Sequence, residues 1–196
     1  MRRLNAAAAA IDEANAADPN RITVRGTDEP LALAHGRLAA EWIDRLVPDA
    51  DDTLRLAARA HHLRRWELPR ADYPAGRAGY LRWRRDQKQR HAADVEALLE
   101  RAGYDAVDVR RVQALIRREG PDAQPVEDAA CLVFLETQLA MTAERLDHDH
   151  MLEVIRKTAR KMSPQALARV SEIPLTAAEQ HLLEEALTSP RGSAPT

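Results

Sequence analysis

Apolar residues recur at helical spacing along most of the chain. The second predicted helix is the clearest case, because Leu31, Ala34, His35, Leu38 and Trp42 fall at positions i, i+3, i+4, i+7 and i+11. Prolines and glycines interrupt this pattern repeatedly. The chain therefore predicts about seven to nine helices. They are placed at 3–17, 27–46, 49–67, 78–102, 105–119, 126–141, 148–161, from Ser163 onward, and at 174–187.

The connections between these helices are short, which predicts a single all-α domain over residues 1–188. Residues 21–26 form a short piece that could be extended, but they have no obvious partner strand. The stretch 68–79 contains two prolines and two glycines, and we expect an ordered surface loop because Leu68 and Tyr73 need burial. The tail 189–196 is predicted to be disordered.

Composition supports a helical protein and narrows its class. Alanine, leucine, arginine and glutamate dominate, with seven glycines. The 29 basic and 31 acidic residues nearly balance, which argues against general nucleic-acid binding. A single cysteine, Cys131, excludes a cysteine zinc cluster and an intrachain disulfide. No stretch suits a membrane span, and acids at positions 12 and 13 interrupt the N-terminal alanine run, so we expect a cytoplasmic protein.

Four polar side chains lie where the pattern favours apolar ones. His35 falls within the apolar stripe of the second helix, and His61 and His62 follow a run of alanines. Asp128 is in register with the apolar face of the predicted 126–141 helix, so its carboxylate is predicted to face the core. A buried carboxylate is costly unless it is paired or binds a metal. Imidazole and carboxylate together suit one divalent transition metal, with Mn, Fe, Zn and Ni not distinguished.

Each of these residues also has an ordinary interpretation. For His35, a core or surface histidine with satisfied hydrogen bonds is the commoner role. Asp128 is typical of a first-turn acid that the helix dipole favours. Adjacent residues on a helix point about 100° apart. We therefore expect His61 to point inward and His62 to lie on the flank.

Basic residues are a second candidate feature. Arg65 follows the histidine pair by one turn, Arg84 and His91 lie on the long charged helix, and Lys161 lies near the other end of the chain. If they converge, they would bind the phosphate or carboxylate of a small anionic ligand. Trp66 and Trp83 each lie among arginines, which suits stacking on a planar ligand. The alternatives are solvated helix faces for the basic residues and core packing for the tryptophans.

The order of a histidine, a histidine pair and a late aspartate on successive helices resembles the HD-domain metal phosphohydrolases. In this chain the pattern falls on His35, the pair His61-His62, and Asp128, within an HD-like core at about 28–145. His62 stands where that family has its metal-bridging aspartate. This departure implies either a one-metal site or a site that no longer binds metal.

Longer strings carry a more specific resemblance. RAHHLRRWELPR, YPAGRAGYLRWR, EDAACLVFLE and RKTARKMSP together resemble the domain of unknown function 4202 family, over nearly the whole chain. The signature of that family is a His-Leu/Ile-x-Arg-Trp-Glu core. The resemblance favours His62, Arg65, Trp66 and Glu67 over His61 as functional residues, and it implies no activity.

The first functional hypothesis is an HD-like, metal-dependent phosphohydrolase acting on a small phosphorylated or nucleotide-like substrate. The histidines and Asp128 would hold the cation, which would generate a nucleophile from bound water at neutral pH. Glu67 or Glu127 would orient that water or act as general base. Arg65 and His91 would neutralise the charge that develops on the substrate.

The second hypothesis is a non-catalytic helical domain that binds an anionic ligand or a protein partner. Arg65, Trp66, Arg84 and Lys161 would bind the ligand, and the histidine at the bridging-aspartate position favours this alternative. A third hypothesis is a metal-free enzyme that uses His62, Glu67 and His91 as acid and base. Homo-oligomerisation is left open by the sequence.

Overall fold

A computed structural model describes residues 2–188, which are mainly helical. Within that range it contains ten α-helices, one β-hairpin and four short 3-10 turns. The helices are α1 (Arg2–Asn15), α2 (Leu31–Leu46), α3 (Asp52–Arg59), α4 (Gly76–Arg101), α5 (Ala106–Arg117), α6 (Gln124–Thr137), α7 (Leu139–Ala143), α8 (His148–Ala159), α9 (Pro164–Arg169) and α10 (Ala177–Thr188). The all-α prediction is confirmed. The tail predicted at 189–196 lies outside the described residues.

The helices fall into two compact units, one ending at Ala130 and the other beginning at Cys131, so α6 crosses the division. In the first unit α2 packs against α3, α5 packs against both α3 and α4, and α1 contacts α2, α3 and α4. In the second unit α8 contacts α7 and α10. The single domain over 1–188 and its HD-like core at 28–145 remain predictions. No helix in residues 2–188 has the length and apolarity needed to cross a membrane.

The first unit has a closely packed interior in which two helices approach through a glycine. Fully buried apolar side chains come from several of its helices and from the segment after α3, and they include Ile11, Trp42, Ile43, Leu56, Leu63, Leu99 and Ile116. A Cβ at Gly36 of α2 would lie 2.5 Å from the carbonyl oxygen of Arg59 at the end of α3. Real Cβ contacts are longer than this. The missing side chain therefore lets α2 carry His35 close to the residues that follow α3.

Residues 21–30 form a β-hairpin, and its second strand replaces a predicted helix start. β1 (Arg21–Val24) pairs in antiparallel register with β2 (Thr27–Pro30). The two joining residues, Arg25 and Gly26, have φ values of 50° and 82°. A type I′ turn requires positive φ at both central residues, and this two-residue turn matches the right-handed twist of the paired strands. The predicted helix start at Thr27 is therefore wrong, and α2 begins only after Pro30.

The predicted helix at 49–67 is much shorter than expected. α3 ends at Arg59, and the chain then turns irregularly, with Arg64 at a φ of 49° and a 3-10 turn at Arg65–Glu67. His61 and His62 therefore lie in a non-helical segment instead of on a helix. We call residues 60–68 the histidine turn. Side chains from α1 and α4 form hydrogen bonds with its backbone N–H and carbonyl groups, in place of the hydrogen bonds that a helix would make.

The apolar segment predicted as one helix at 126–141 is divided in two. α6 ends at Thr137, and α7 begins at Leu139. Gln138 between them has a φ of −125° and a ψ of −2°, which is not a helical conformation. This break brings the number of α-helices in residues 2–188 to ten. The long charged helix ends as predicted, because Gly103 follows α4 with a φ of 85°.

Candidate functional site: a buried histidine cluster

The histidine turn is held from one side by a buried asparagine of α1. Asn15 accepts a hydrogen bond from the backbone N–H of Arg64 at 3.0 Å and donates to the carbonyl of Ala32 at 3.4 Å. Its side chain is only 1% exposed. A single amide therefore joins the left-handed residue of the histidine turn to the start of α2, from which His35 projects.

The other side of the histidine turn is held by one face of α4. This face carries three polar or amphipathic residues spaced four apart, namely Trp83, Gln87 and His91. The indole N–H of Trp83 donates to the carbonyl of Leu68 at 2.9 Å. The Gln87 amide donates to the carbonyls of Arg65 and Leu68, at 2.9 and 2.8 Å. His91 donates from Nδ1 to the carbonyl of Leu63 at 2.7 Å.

Four imidazoles meet around this turn, and we call them the histidine cluster. They are His35 from α2, His61 and His62 from the histidine turn, and His91 from α4. The ring centroid of His62 lies 4.0 Å from that of His61, 5.4 Å from that of His35 and 6.3 Å from that of His91. His62 therefore lies at the centre. As predicted, His61 is buried, whereas His62 is half-buried.

All four imidazoles are neutral at physiological pH. Burial, followed by the nearby positive charge of Arg65, lowers the pKa of His35 to about 4 and that of His91 to about 3. Burial also holds the pKa of His61 well below its usual value, with Arg118 adding to the effect. For His62 the cause is again burial, followed by its proximity to His61. A cluster of neutral imidazoles offers nitrogen lone pairs rather than positive charge.

Two of these lone pairs are defined and have no partner. His61 donates from Nδ1 to the carbonyl of Ala58 at 2.7 Å, and His91 donates from Nδ1 to the carbonyl of Leu63. A carbonyl can only accept, so each neutral ring carries its proton on Nδ1 and its lone pair on Nε2. Both Nε2 atoms are buried without a hydrogen-bond partner. They are acceptors directed into the interior.

His35 and His62 face each other directly. Their Nδ1 atoms are 3.2 Å apart, so one nitrogen donates its proton to the other. Two nitrogens on one tetrahedral metal, each at about 2.0–2.1 Å from it, are roughly 3.3 Å apart. The observed separation fits both a hydrogen bond and a shared ion.

Asp128 is buried, as predicted, and accepts a hydrogen bond from the side chain of Gln124 at 2.9 Å. Within residues 2–188, no three side chains of His, Cys, Asp or Glu surround one point at which a metal could bind. The donor chemistry of the histidine cluster thus fits a transition metal, but a third ligand would require a side chain to rotate. The role of Asp128 as a metal ligand stays a prediction.

The two predicted base candidates are both engaged in ion pairs. Glu67 is exposed and forms a salt bridge with Arg90 of α4. Glu127 forms a salt bridge with Arg118 at 2.9 Å. A role of either carboxylate in activating water would therefore compete with its ion pair to arginine.

The predicted anion-binding residues lie in different surroundings. The guanidinium of Arg65 stacks over Trp83 at 4.6 Å from the ring centroid, whereas Trp66 is half-buried. Arg84 lies 6.0 Å from the ring of Tyr80. Lys161 is exposed in the second unit, and its participation stays a prediction.

Sequence reasoning identified the four histidines but not what fixes them. His91 was expected to act on an anion and instead belongs to the histidine cluster. Asn15 and Gln87 were not predicted as part of the site, and Trp83 was considered only for stacking on a ligand. The spacing of Trp83, Gln87 and His91 along one face of a highly charged helix was the available signal for two of them.

The site thus belongs to an all-α protein with a buried, neutral histidine cluster beside a basic and aromatic surface. The chain belongs to the family described as Domain of unknown function (DUF4202), whose model matches residues 5–183. This confirms the resemblance inferred from the sequence. No match was found among curated proteins or among solved structures. The HD-like arrangement therefore remains a hypothesis.

Proposed function

We propose that the histidine cluster binds a divalent transition metal and that the protein is a metal-dependent hydrolase of a small phosphorylated substrate. The observation that carries this proposal is the pair of buried, unpartnered Nε2 atoms on His61 and His91. Metal-binding histidines typically donate their other ring N–H to a carbonyl or carboxylate, which fixes the tautomer. Both residues have this arrangement.

Two features of the residues in and around the histidine cluster support such a reaction. A divalent cation there would lower the pKa of a water so that hydroxide forms at neutral pH. The low histidine pKa values keep protons from competing for the nitrogen lone pairs above about pH 5. Arg65 lies close enough to the cluster to lower the pKa of His35 and of His91. Its charge would stabilise a developing phosphoryl anion.

Metal content tests the first half of the proposal. The protein would be purified without chelator, stripped, and titrated with Zn, Mn, Fe and Ni salts. We expect about one equivalent to bind, and His61→Gln and His91→Gln to weaken binding by at least about tenfold. His181→Gln is the matched control, because His181 is an exposed histidine of α10. Two results would contradict the metal site. One is binding of less than one equivalent with no further loss in the variant Asp128→Ala. The other is equal metal binding by all three histidine variants.

Turnover tests the second half. Metal-loaded protein should release phosphate from small monoesters such as para-nitrophenyl phosphate, and the rate should fall with the metal content of the variants.

The ion pairs of Glu67 and Glu127 favour a second candidate, a non-catalytic domain that binds an anion. A phosphorylated ligand that raises the melting temperature without turnover or metal dependence would select that candidate.

A further inference from the structure

Arg65 and Arg84 are neighbouring cations without a neutralising acid. Within residues 2–188, no carboxylate lies within ion-pair distance of either guanidinium, although most arginines of the first unit have such a partner. The proximity of Arg84 adds to burial in lowering the pKa of Arg65 to about 10. Two like charges held together repel each other, and an anion bound between or beside them would relieve this repulsion.

Aromatic rings fix both arginines on the same side of α4. Arg65 stacks over Trp83 at 4.6 Å, Trp83 lies 5.9 Å from Tyr80, and Arg84 lies 6.0 Å from Tyr80. The Trp83 ring is itself held by its hydrogen bond to the carbonyl of Leu68. The stacked guanidinium of Arg65 is therefore preorganised, which favours bidentate binding of a phosphate over the binding of a diffuse charge.

This pair also lies next to the histidine cluster. The charge of Arg65 acts on His35, His62 and His91. Arg84 is one α4 turn away from Gln87 and two from His91. A phosphate bound by the two arginines would therefore lie beside the neutral imidazoles of the histidine cluster.

We propose that Arg65 and Arg84 form a binding site for the dianionic phosphate of a phosphate monoester. A monoester phosphate carries close to two negative charges above its second pKa of about 6, which matches two unpaired arginines. A phosphodiester carries one charge and would leave one guanidinium uncompensated. This inference rests on the proposed function only in identifying the bound phosphate as substrate.

The test uses full-length protein stripped of metal, at pH 8, with methyl phosphate and dimethyl phosphate as probes. Calorimetric titration should show that methyl phosphate binds at least about tenfold more tightly than dimethyl phosphate, because the second charge and a third anionic oxygen are lost in the diester. Equal affinity for the two probes would overturn the inference. Because no metal is present, failure of the metal site would leave this result unaffected.

Two variants connect the affinity to the two arginines. Arg84→Gln should weaken methyl phosphate binding by about tenfold, and Arg65→Lys should weaken it by several fold because the fork of N–H donors is lost. Arg82→Gln is the control, since Arg82 is an exposed arginine of α4 that pairs with Asp86. Circular dichroism would verify that each variant is folded. If Arg84→Gln binds methyl phosphate as tightly as Arg82→Gln does, the inference is wrong. Unchanged metal binding by Arg84→Gln would show that the phosphate site is distinct from the histidine cluster.

Discussion

Single residues in and beside the histidine cluster have unsatisfied hydrogen-bonding capacity. Nε2 of His61, Nε2 of His91 and Oε1 of Gln87 are buried acceptors without a partner. Each unsatisfied buried acceptor costs about 1–3 kcal/mol, and most buried polar groups avoid this cost. Three such acceptors near one turn are therefore better explained by a cation or a hydrogen-bond donor that binds there than by packing.

Asn15 is the residue whose loss should most directly disturb the histidine turn. Asn15→Ala removes the acceptor for the Arg64 N–H and leaves that group inside the protein. We expect it to lower the free energy of unfolding by about 1–3 kcal/mol. Urea denaturation measures this change, and metal titration should show weaker binding because the position of His62 is no longer fixed.

The same helix offers a matched control for this prediction. Asn5→Ala changes an exposed asparagine of α1, and its effect on unfolding should stay within about 0.5 kcal/mol. If Asn15→Ala is no more destabilising than Asn5→Ala, the hydrogen bond to Arg64 does not hold the turn.

At the scale of elements, α4 acts as the support for the histidine turn. Gln87 contributes two of its hydrogen bonds, to the carbonyls of Arg65 and Leu68. Gln87→Ala should therefore destabilise the protein by about 1–3 kcal/mol and loosen Arg65. Thermal denaturation measures the first effect, and weaker phosphate binding reports the second. Gln89→Ala is the control on the exposed side of α4, and equal effects of the two variants would refute the role of Gln87.

The approach of α2 to α3 depends on Gly36. Gly36→Ala would place a Cβ 2.5 Å from the Arg59 carbonyl, so the two helices would have to separate. We expect a loss of about 2–4 kcal/mol of stability and a longer distance between His35 and His62. Glu41→Ala, on the exposed face of α2, should change the unfolding midpoint little. A Gly36→Ala protein with wild-type stability and metal affinity would show that the close approach is not required.

Periodicity predicted the helices but could not predict where tertiary contacts override it. The stripe containing His35 was sufficient to place that residue inside, because burial follows the helical repeat. The histidine turn was predicted as helix because its local sequence is alanine- and arginine-rich. Its actual conformation depends on Asn15, about 49 positions away in the sequence, and on three residues of α4. No local pattern reports hydrogen bonds made across that separation.

Across the whole molecule, two groups of histidines respond to pH in opposite directions. The histidine cluster has lowered pKa values because of burial, whereas hydrogen bonds to Glu185 and Asp147 raise the pKa values of His148 and His150. The raised pair stabilises the folded chain below the unfolded pKa and loses this effect as the pH rises. Both residues are exposed, so their contribution is small. Among the histidines, the buried cluster should therefore contribute most to the pH dependence of stability.

The histidine cluster predicts a protein that loses stability on mild acidification. His35 takes up a proton near pH 6.5 when unfolded but only near pH 4 when folded. Between these values the unfolded state binds more protons, so stability falls as the pH falls, by on the order of 3 kcal/mol for His35 alone. Urea midpoints from pH 7 to pH 4 measure this slope, and His35→Gln should make it shallower. A bound metal should steepen the slope, because protons displace it and its own stabilisation is lost over the same range. A flat profile in the metal-free protein, or an equal slope in His35→Gln, would mean that the cluster is not held neutral by burial.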